Sequence, residues 1–352
     1  MLNKEQSQVV GAGALAVQSA GDVSIVQNGL SYQEVRAVAL DVYKSNFYEL
    51  AGEAKDIARA RAEEVTDKFL AKLEVEHPGG MKNAHDPDFQ YALYTVQKEY
   101  ARTGDTDLGD LLVDLLVDRS KQKQRDILQI VLNESLNIAP KLTDGQLSAL
   151  ALIFLFRYTQ NLSITNHHAL GVYFDGFIHR FIPTLAKTNA AYQHLEFTGC
   201  GSANQLTSAN LESILGTTYQ GQFLKGFDEA EITNRGVSIG HDPRFFTACL
   251  NGHGKIQVNA NSKDSLEKRF EELSVSTDDR AKILALFDHE KMSDSEIKDK
   301  CIEIRPYMKD LFDTWSASSV GSFTLTSVGM SIGHANIKRF MGEFASLSIW
   351  VN

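Results

Sequence analysis

The sequence predicts a mainly α protein: a multi-helix body, preceded by an N-terminal β-hairpin or short β-repeat and closed by a small C-terminal strand-helix-strand element. Three observations carry this. Residues 13–29 alternate apolar with small or polar side chains, the strand period of two. From Ser31 onward the apolar residues recur every three or four positions, the helical period. Beyond residue 320, short alternating stretches flank one helical stretch.

Taken in order, Gly13-Ala-Leu15-Ala-Val17 is echoed eight residues later by Gly21-Asp-Val23-Ser-Ile25, with Ser19, Ala20 and Asp22 supplying turn composition between them. A lone two-stranded hairpin rich in Gly and Ala is marginal in water, so this one needs a partner. The equivalent hairpins of neighbouring subunits, meeting through Leu15, Val17, Val23 and Ile25, would close its edges; docking on its own chain is the alternative. Ser31 and Glu34 then form a capping-box pattern, and Val35, Val38, Ala39, Val42, Phe47 and Leu50 follow helical spacing. Further helices are expected at 53–73, 88–102, 107–117, 121–137, 144–158 and 166–181. The one after Thr143, capped with Gln146, is apolar nearly all round and belongs at the centre of the core. Pro183 ends the segment that follows. Residues 195–262 are glycine-rich and less regular, with one short strand at 255–259. Helices resume at 263–273, 277–288, 294–302 and 306–317, and the tail reads strand 322–325, helix 327–340, strand 346–351. Gly329 and Gly333 lie on one face of that last helix and permit close backbone approach. The expected organisation is an oligomerisation segment at 1–29, a helical bundle at 30–190 and a mixed, mainly helical region at 191–352.

Composition narrows the function classes. The 352 residues are 43% hydrophobic and 23% charged, the profile of a globular chain. A net charge of −10 argues against nucleic acid as the main ligand, which would call for clustered Lys and Arg. The basic run at Arg119, Lys121, Lys123 and Arg125 reads first as a solvated helix end. Three widely spaced cysteines do not make a disulfide framework, so a reducing compartment is expected. The longest apolar run, at 147–156, is about half a transmembrane span. Residues 9–17 have the apolar composition of a signal-peptide core, but the leading segment is weakly charged, Lys4 being offset by Glu5, and a cytoplasmic location is expected.

Two segments are similar to a known group. Asn28-Gly-Leu-Ser-Tyr-Gln-Glu-Val-Arg36, continuing through Asp41-Val-Tyr-Lys-Ser-Asn-Phe-Tyr-Glu-Leu50, resembles the opening of an uncharacterised family of bacterial proteins in which a short β-repeat precedes such a helix. Leu325-Thr-Ser-Val-Gly329, Ile332-Gly-His-Ala-Asn336 and Leu347-Ser-Ile-Trp350 resemble that family's close. The likeness covers about a quarter of the chain. It implies a link to conflict with phages or mobile elements, and it brings no catalytic residues with it.

Candidate chemistry is sparse. His168, Asp175 and His179, downstream of Thr165-Asn-His167, would align on one helical face and offer imidazole and carboxylate ligands to zinc or another divalent ion, which could activate water. Their spacing matches no metalloenzyme motif, and Tyr173, Phe174 and Phe177 crowd the segment, as around histidines with a packing role. Cys200, between two glycines, has the setting of a nucleophile on a tight turn, with His194 or His253 as base, and equally that of a packed loop. Cys249 and His253 make half of a zinc site. No phosphate-cradling or dinucleotide motif is present. The leading expectation is therefore a non-enzymatic homo-oligomer, a sensor, scaffold or effector in antiphage defence, whose partners are its own copies and another protein or phage component. No cofactor can be named. The alternatives are a membrane-perforating effector, whose strands of about 7–9 residues fall at or below the roughly 9–11 of a spanning strand, and a metal-dependent hydrolase using His168, Asp175 and His179.

Overall fold

A computed structural model describes residues 31–46, 52–204, 206 and 208–352. The expected hairpin, with Leu15, Val17, Val23 and Ile25, lies outside the described residues. The described chain is mainly helical, with four short strands.

The first half builds the helical body: α1 (Tyr32–Asn46), α2 (Glu53–Glu76), α3 (Pro87–Thr103), α4 (Thr106–Ser120), α5 (Ile127–Ile138) and α6 (Asp144–Tyr158). Local rules set their starts. Glu34 Oε2 accepts from the Ser31 amide at 2.8 Å, and the Thr143/Gln146 box caps α6. The stretch expected as a helix from residue 121 starts instead at Ile127. Asp126 takes the cap position there, its Oδ1 accepting from the Gln129 amide at 2.8 Å. Helix α6 is buried from Gln146 to Phe156, as its all-round apolarity requires.

The middle of the chain adds α7 (His167–Tyr173), α8 (Asn189–Phe197), β1 (Gly201–Ala203), α9 (Leu211–Thr218), α10 (Ala230–Asn234), β2 (Phe246–Ala248), β3 (Ile256–Val258), α11 (Lys263–Glu272) and α12 (Thr277–Phe287). The helix expected over 166–181 is interrupted: α7 passes into a π-turn at Phe174–Ile178 and a 3-10 turn at His179–Phe181. Residues 224–287 contribute a second apolar core, with Phe245 stacked on Phe270 at 5.6 Å. This inserted lobe leaves and rejoins the body through two adjacent extended segments joined by an antiparallel bridge between Leu224 and Lys291. The Lys225 amide donates to the Glu290 carbonyl at 2.8 Å, and the Met292 amide to the Phe223 carbonyl at 2.9 Å.

The remaining elements, α13 (Asp294–Ile304), α14 (Met308–Ala317), β4 (Phe323–Leu325) and α15 (Ser327–Met341), return to the body. Strand β4 pairs antiparallel with β1, Ser202 opposite Thr324. The second tail strand expected at 346–351 is instead a 3-10 turn, Leu347–Ile349. Its buried residues, Leu347 and Val351, are four apart, which suits a helical turn. Trp350 anchors it by donating Nε1–H to the Tyr158 carbonyl at 2.7 Å.

Helix α15 runs through the body against α6, α4 and α5. Glycine makes the approach possible: a methyl group at Gly333 would lie 2.8 Å from the Leu150 carbonyl oxygen, and one at Gly329 only 1.9 Å from that of Cys200. The helix also carries charge inward. Lys338 Nζ, nearly buried, meets Glu76 at 2.8 Å, Asp118 at 2.9 Å and Asp114 at 3.7 Å. Lys72 holds Asp114 at 2.6 Å, and Lys121 bridges Asp118 and Glu76. One turn earlier, His334 donates Nε2–H to the Ala345 carbonyl at 2.6 Å inside an aromatic wall of Phe154, Phe344 and Trp350. No helix among the described residues is long and apolar enough to cross a membrane.

Candidate functional site: a polar cleft between body and lobe

A cavity of about 750 Å³ opens where the inserted lobe meets the body, well within the range of small-ligand sites. The body contributes Gln160, Leu162, Thr165 and Asn166 from the α6–α7 loop, together with Gln222; the lobe contributes β2, β3 and the exposed side of α11. The loop is held open by its own side chains. Asn166 caps α7, its Oδ1 accepting from the Ala169 amide at 2.9 Å, and His167 donates Nε2–H to the Gln222 carbonyl at 2.9 Å. Burial lowers the His167 pKa, favouring the neutral imidazole that this bond uses.

The floor is a chain of amides whose orientations fix one another. Asn261 donates Nδ2–H to the Ile164 carbonyl, so its Oδ1 is the acceptor for Gln222 Nε2, at 2.9 Å. The Gly221 amide donates to the Asn261 carbonyl at 3.1 Å, and Gln257 Nε2 donates to the Gly221 carbonyl at 2.9 Å. Gly221 has to be glycine, since a methyl group there would sit 2.0 Å from the Ala260 carbonyl oxygen. One consequence is an uncompensated acceptor. Gln222 is 1% exposed and its Oε1 has no hydrogen-bond partner among the described residues. The charges on the lobe side balance: Asp264, Lys268 and Glu272 stand four apart along α11, and Arg269 donates to the carbonyls of Arg244 and Asn259.

A second hollow, about 210 Å³, lies beside His334 and Lys338 under the C-terminal turn. The charges there already pair with one another, which makes it the margin of a structural clamp.

The residues singled out from sequence fall elsewhere. The π-turn breaks the helical alignment of His168, Asp175 and His179. Arg305 binds both Asp175 oxygens, at 2.8 and 2.6 Å, and Tyr307 donates Oη–H to the same carboxylate at 2.6 Å. Arg305 first, then Tyr307, hold the Asp175 carboxyl below the usual carboxylate range. His179 stacks on the Tyr307 ring at 4.1 Å, and His168 is exposed on α7. Among the described residues no group of three or more His, Cys, Asp or Glu is placed to hold a metal ion. Cys200 is buried, and burial pushes its thiol pKa up, away from the thiolate a nucleophile needs. His194 is engaged with Gln146 Nε2 at 2.9 Å. Cys249 accepts from the Asn251 amide at 3.4 Å in the lobe connection, and His253 is exposed.

What the sequence did mark was Thr165-Asn-His167, which lines or buttresses the cleft. Gln222 and Asn261 gave no comparable signal, because an amide declares its role only through a partner distant in sequence. No curated protein and no solved structure matches the chain. A family model described only as ":-like" matches residues 29–351, nearly the whole length, and the chain belongs to that family.

Proposed function

We propose that the protein is a non-enzymatic binding protein, a sensor whose interlobe cleft receives a ligand and whose N-terminal segment, 1–29, joins copies of the chain. The observation that carries the binding half is the cleft itself: about 750 Å³ where the lobe meets the body, lined mainly by amides, hydroxyls and sign-balanced charges. The assembly half rests on the strand-period repeat of residues 13–29 and on the instability of an isolated hairpin. A role in antiphage defence, acting in the cytoplasm on another protein or a phage component, follows from the resemblance of the two ends of the chain.

Native mass spectrometry of the full chain tests both halves in one measurement. A mass above a multiple of the 39.0 kDa subunit, lost on denaturation, is the expected result. Removal of residues 1–28 should leave a monomer, whereas a monomer already in the intact chain as well as in the shortened one would refute the assembly. A bare subunit mass that no added small molecule or peptide shifts would refute the ligand.

A further inference from the structure

The inserted lobe and the body keep separate interiors. The body's apolar cluster includes Phe223, and the lobe's begins at Leu224 and runs to Phe287, so on the outgoing leg the boundary falls between two consecutive residues. Among the described residues no buried apolar side chain belongs to both clusters. Two close-packed units joined by a narrow stem can turn against each other, because each keeps its own packing and the polar contacts between them exchange for water.

The stem consists of the paired legs, with Leu224 bridged to Lys291. Asn251 of the lobe clasps the outgoing leg: its Nδ2 donates to the Gln222 carbonyl at 2.9 Å and to the Leu224 carbonyl at 2.8 Å, one on each side of Phe223. Hydrogen bonds and an ion pair add to this hold. Gln257 and Asn261 meet Gly221 and Gln222 at the foot of the leg. Lys225 pairs with Glu296 at 2.8 Å, but both are more than a third exposed, which makes the pair weak. Asn261 also reaches past the stem, donating Nδ2–H to the Ile164 carbonyl in the α6–α7 loop.

We infer that residues 224–291 turn as one unit about this stem, with Asn261 as the latch that sets the width of the cleft. The cleft lies between the same two parts that the latch joins: Thr165 and Asn166 line it from the body, Ser262 and the exposed side of α11 from the lobe. Release of the Ile164 carbonyl frees α11 to move relative to the α6–α7 loop, while contacts inside the lobe, such as Phe245 on Phe270, are kept. The motion needs no ligand in the cleft. Each hydrogen bond of the latch shifts the balance between latched and released lobe by about fivefold.

Pulsed double electron–electron resonance on the full chain measures this motion. Nitroxides are attached to p-acetylphenylalanine in place of the exposed Leu162 and Glu272, one on each wall of the cleft, so that no cysteine is labelled. A second pair, in place of the exposed Asn234 and Glu272, lies within the lobe. In Asn261→Ala the cross-cleft distribution should shift or broaden by more than about 2 Å, with the pair inside the lobe unchanged. Asn261→Asp replaces the donor by a carboxylate facing the Ile164 carbonyl; it should act in the same way, and it carries the test where the alanine variant does not fold. A cross-cleft distribution that keeps the wild-type distance and width in the folded variants would overturn the hinge. A change in both pairs together would overturn it too, because the lobe would then be loosening internally rather than turning as a unit.

Discussion

Replacing Lys338 by Met should cost about 3–5 kcal/mol, the usual penalty for removing one partner of a buried ion pair. The lysine head group is 7% exposed, and its partners Glu76, Asp118 and Asp114 are 20%, 13% and 1% exposed. At an effective dielectric of about 20, each contact near 2.8 Å is worth roughly 6 kcal/mol before desolvation. Methionine keeps most of the volume but leaves three carboxylates sharing Lys72 and Lys121. Urea denaturation at pH 7.5 reads this directly: with an m-value of about 3 kcal/mol/M, the midpoint should fall by about 1–1.7 M at unchanged slope. The pH dependence gives a second, independent sign. In the wild type, Lys338 is raised by its carboxylates against the opposing effect of burial, so its contribution is complete below its ordinary value of 10.5. Glu76 and Asp118 are lowered by Lys338 and Lys121, which outweigh burial, so theirs is complete above 4.5 and 3.8 and fades only as pH falls through lower folded values. Between pH 7.5 and 4.5 Lys338, Glu76 and Asp118 of the wild type therefore stay charged, Asp114 alone being raised by burial against the pull of Lys72 and Lys338, whereas the orphaned carboxylates of the variant regain neutrality by taking up protons. The stability gap should narrow across that interval. A loss below about 1 kcal/mol, or a gap that does not change with pH, would refute the clamp.

Other outcomes follow from the same contacts. Gly329→Ala places a methyl 1.9 Å from the Cys200 carbonyl and should destabilise by more than about 2 kcal/mol, measured by the same denaturation. His334 is lowered from 6.5 chiefly by burial, with Lys338 and Lys121 adding to it and the Ala345 bond and Asp118 opposing. The unfolded chain then takes the proton first, so wild-type stability should drop as pH falls below 6.5, and His334→Gln should flatten that part of the profile. Burial raises the Cys200 and Cys301 thiols, so an aromatic disulfide reagent should label the native chain rapidly only at Cys249, and all three thiols only after denaturation.

What the sequence revealed was whatever depends on neighbours in the chain. The Ser31/Glu34 and Thr143/Gln146 caps formed because a capping box closes within four residues. Gly329 and Gly333 face α15's neighbours because helical period alone fixes their common side. Local composition misled where a distant partner took over: Tyr158 supplies the carbonyl that draws Trp350, and the 346–351 stretch follows it into a turn. The burial of Lys338 left no mark in its neighbourhood of the sequence, because the carboxylates of α2 and α4 that explain it lie more than two hundred residues away. The cleft was the least legible part. Its floor joins Ile164, Gln222 and Asn261, spread over almost a hundred residues, and no spacing rule connects them.

The central position of α15 also bears on how the molecule is made. The inserted lobe, contained within residues 224–287, can collapse on its own apolar cluster as soon as that stretch has left the ribosome. The body is completed later: α1 to α5 pack on one another, but the faces of α4, α5 and α6 that meet α15, and the three carboxylates of the clamp, stay uncovered until that helix, beginning at Ser327, has been made. The order of biosynthesis thus puts the lobe's apolar cluster together before the last helix of the body exists, and leaves the surface that this helix covers open until the end of the chain is made.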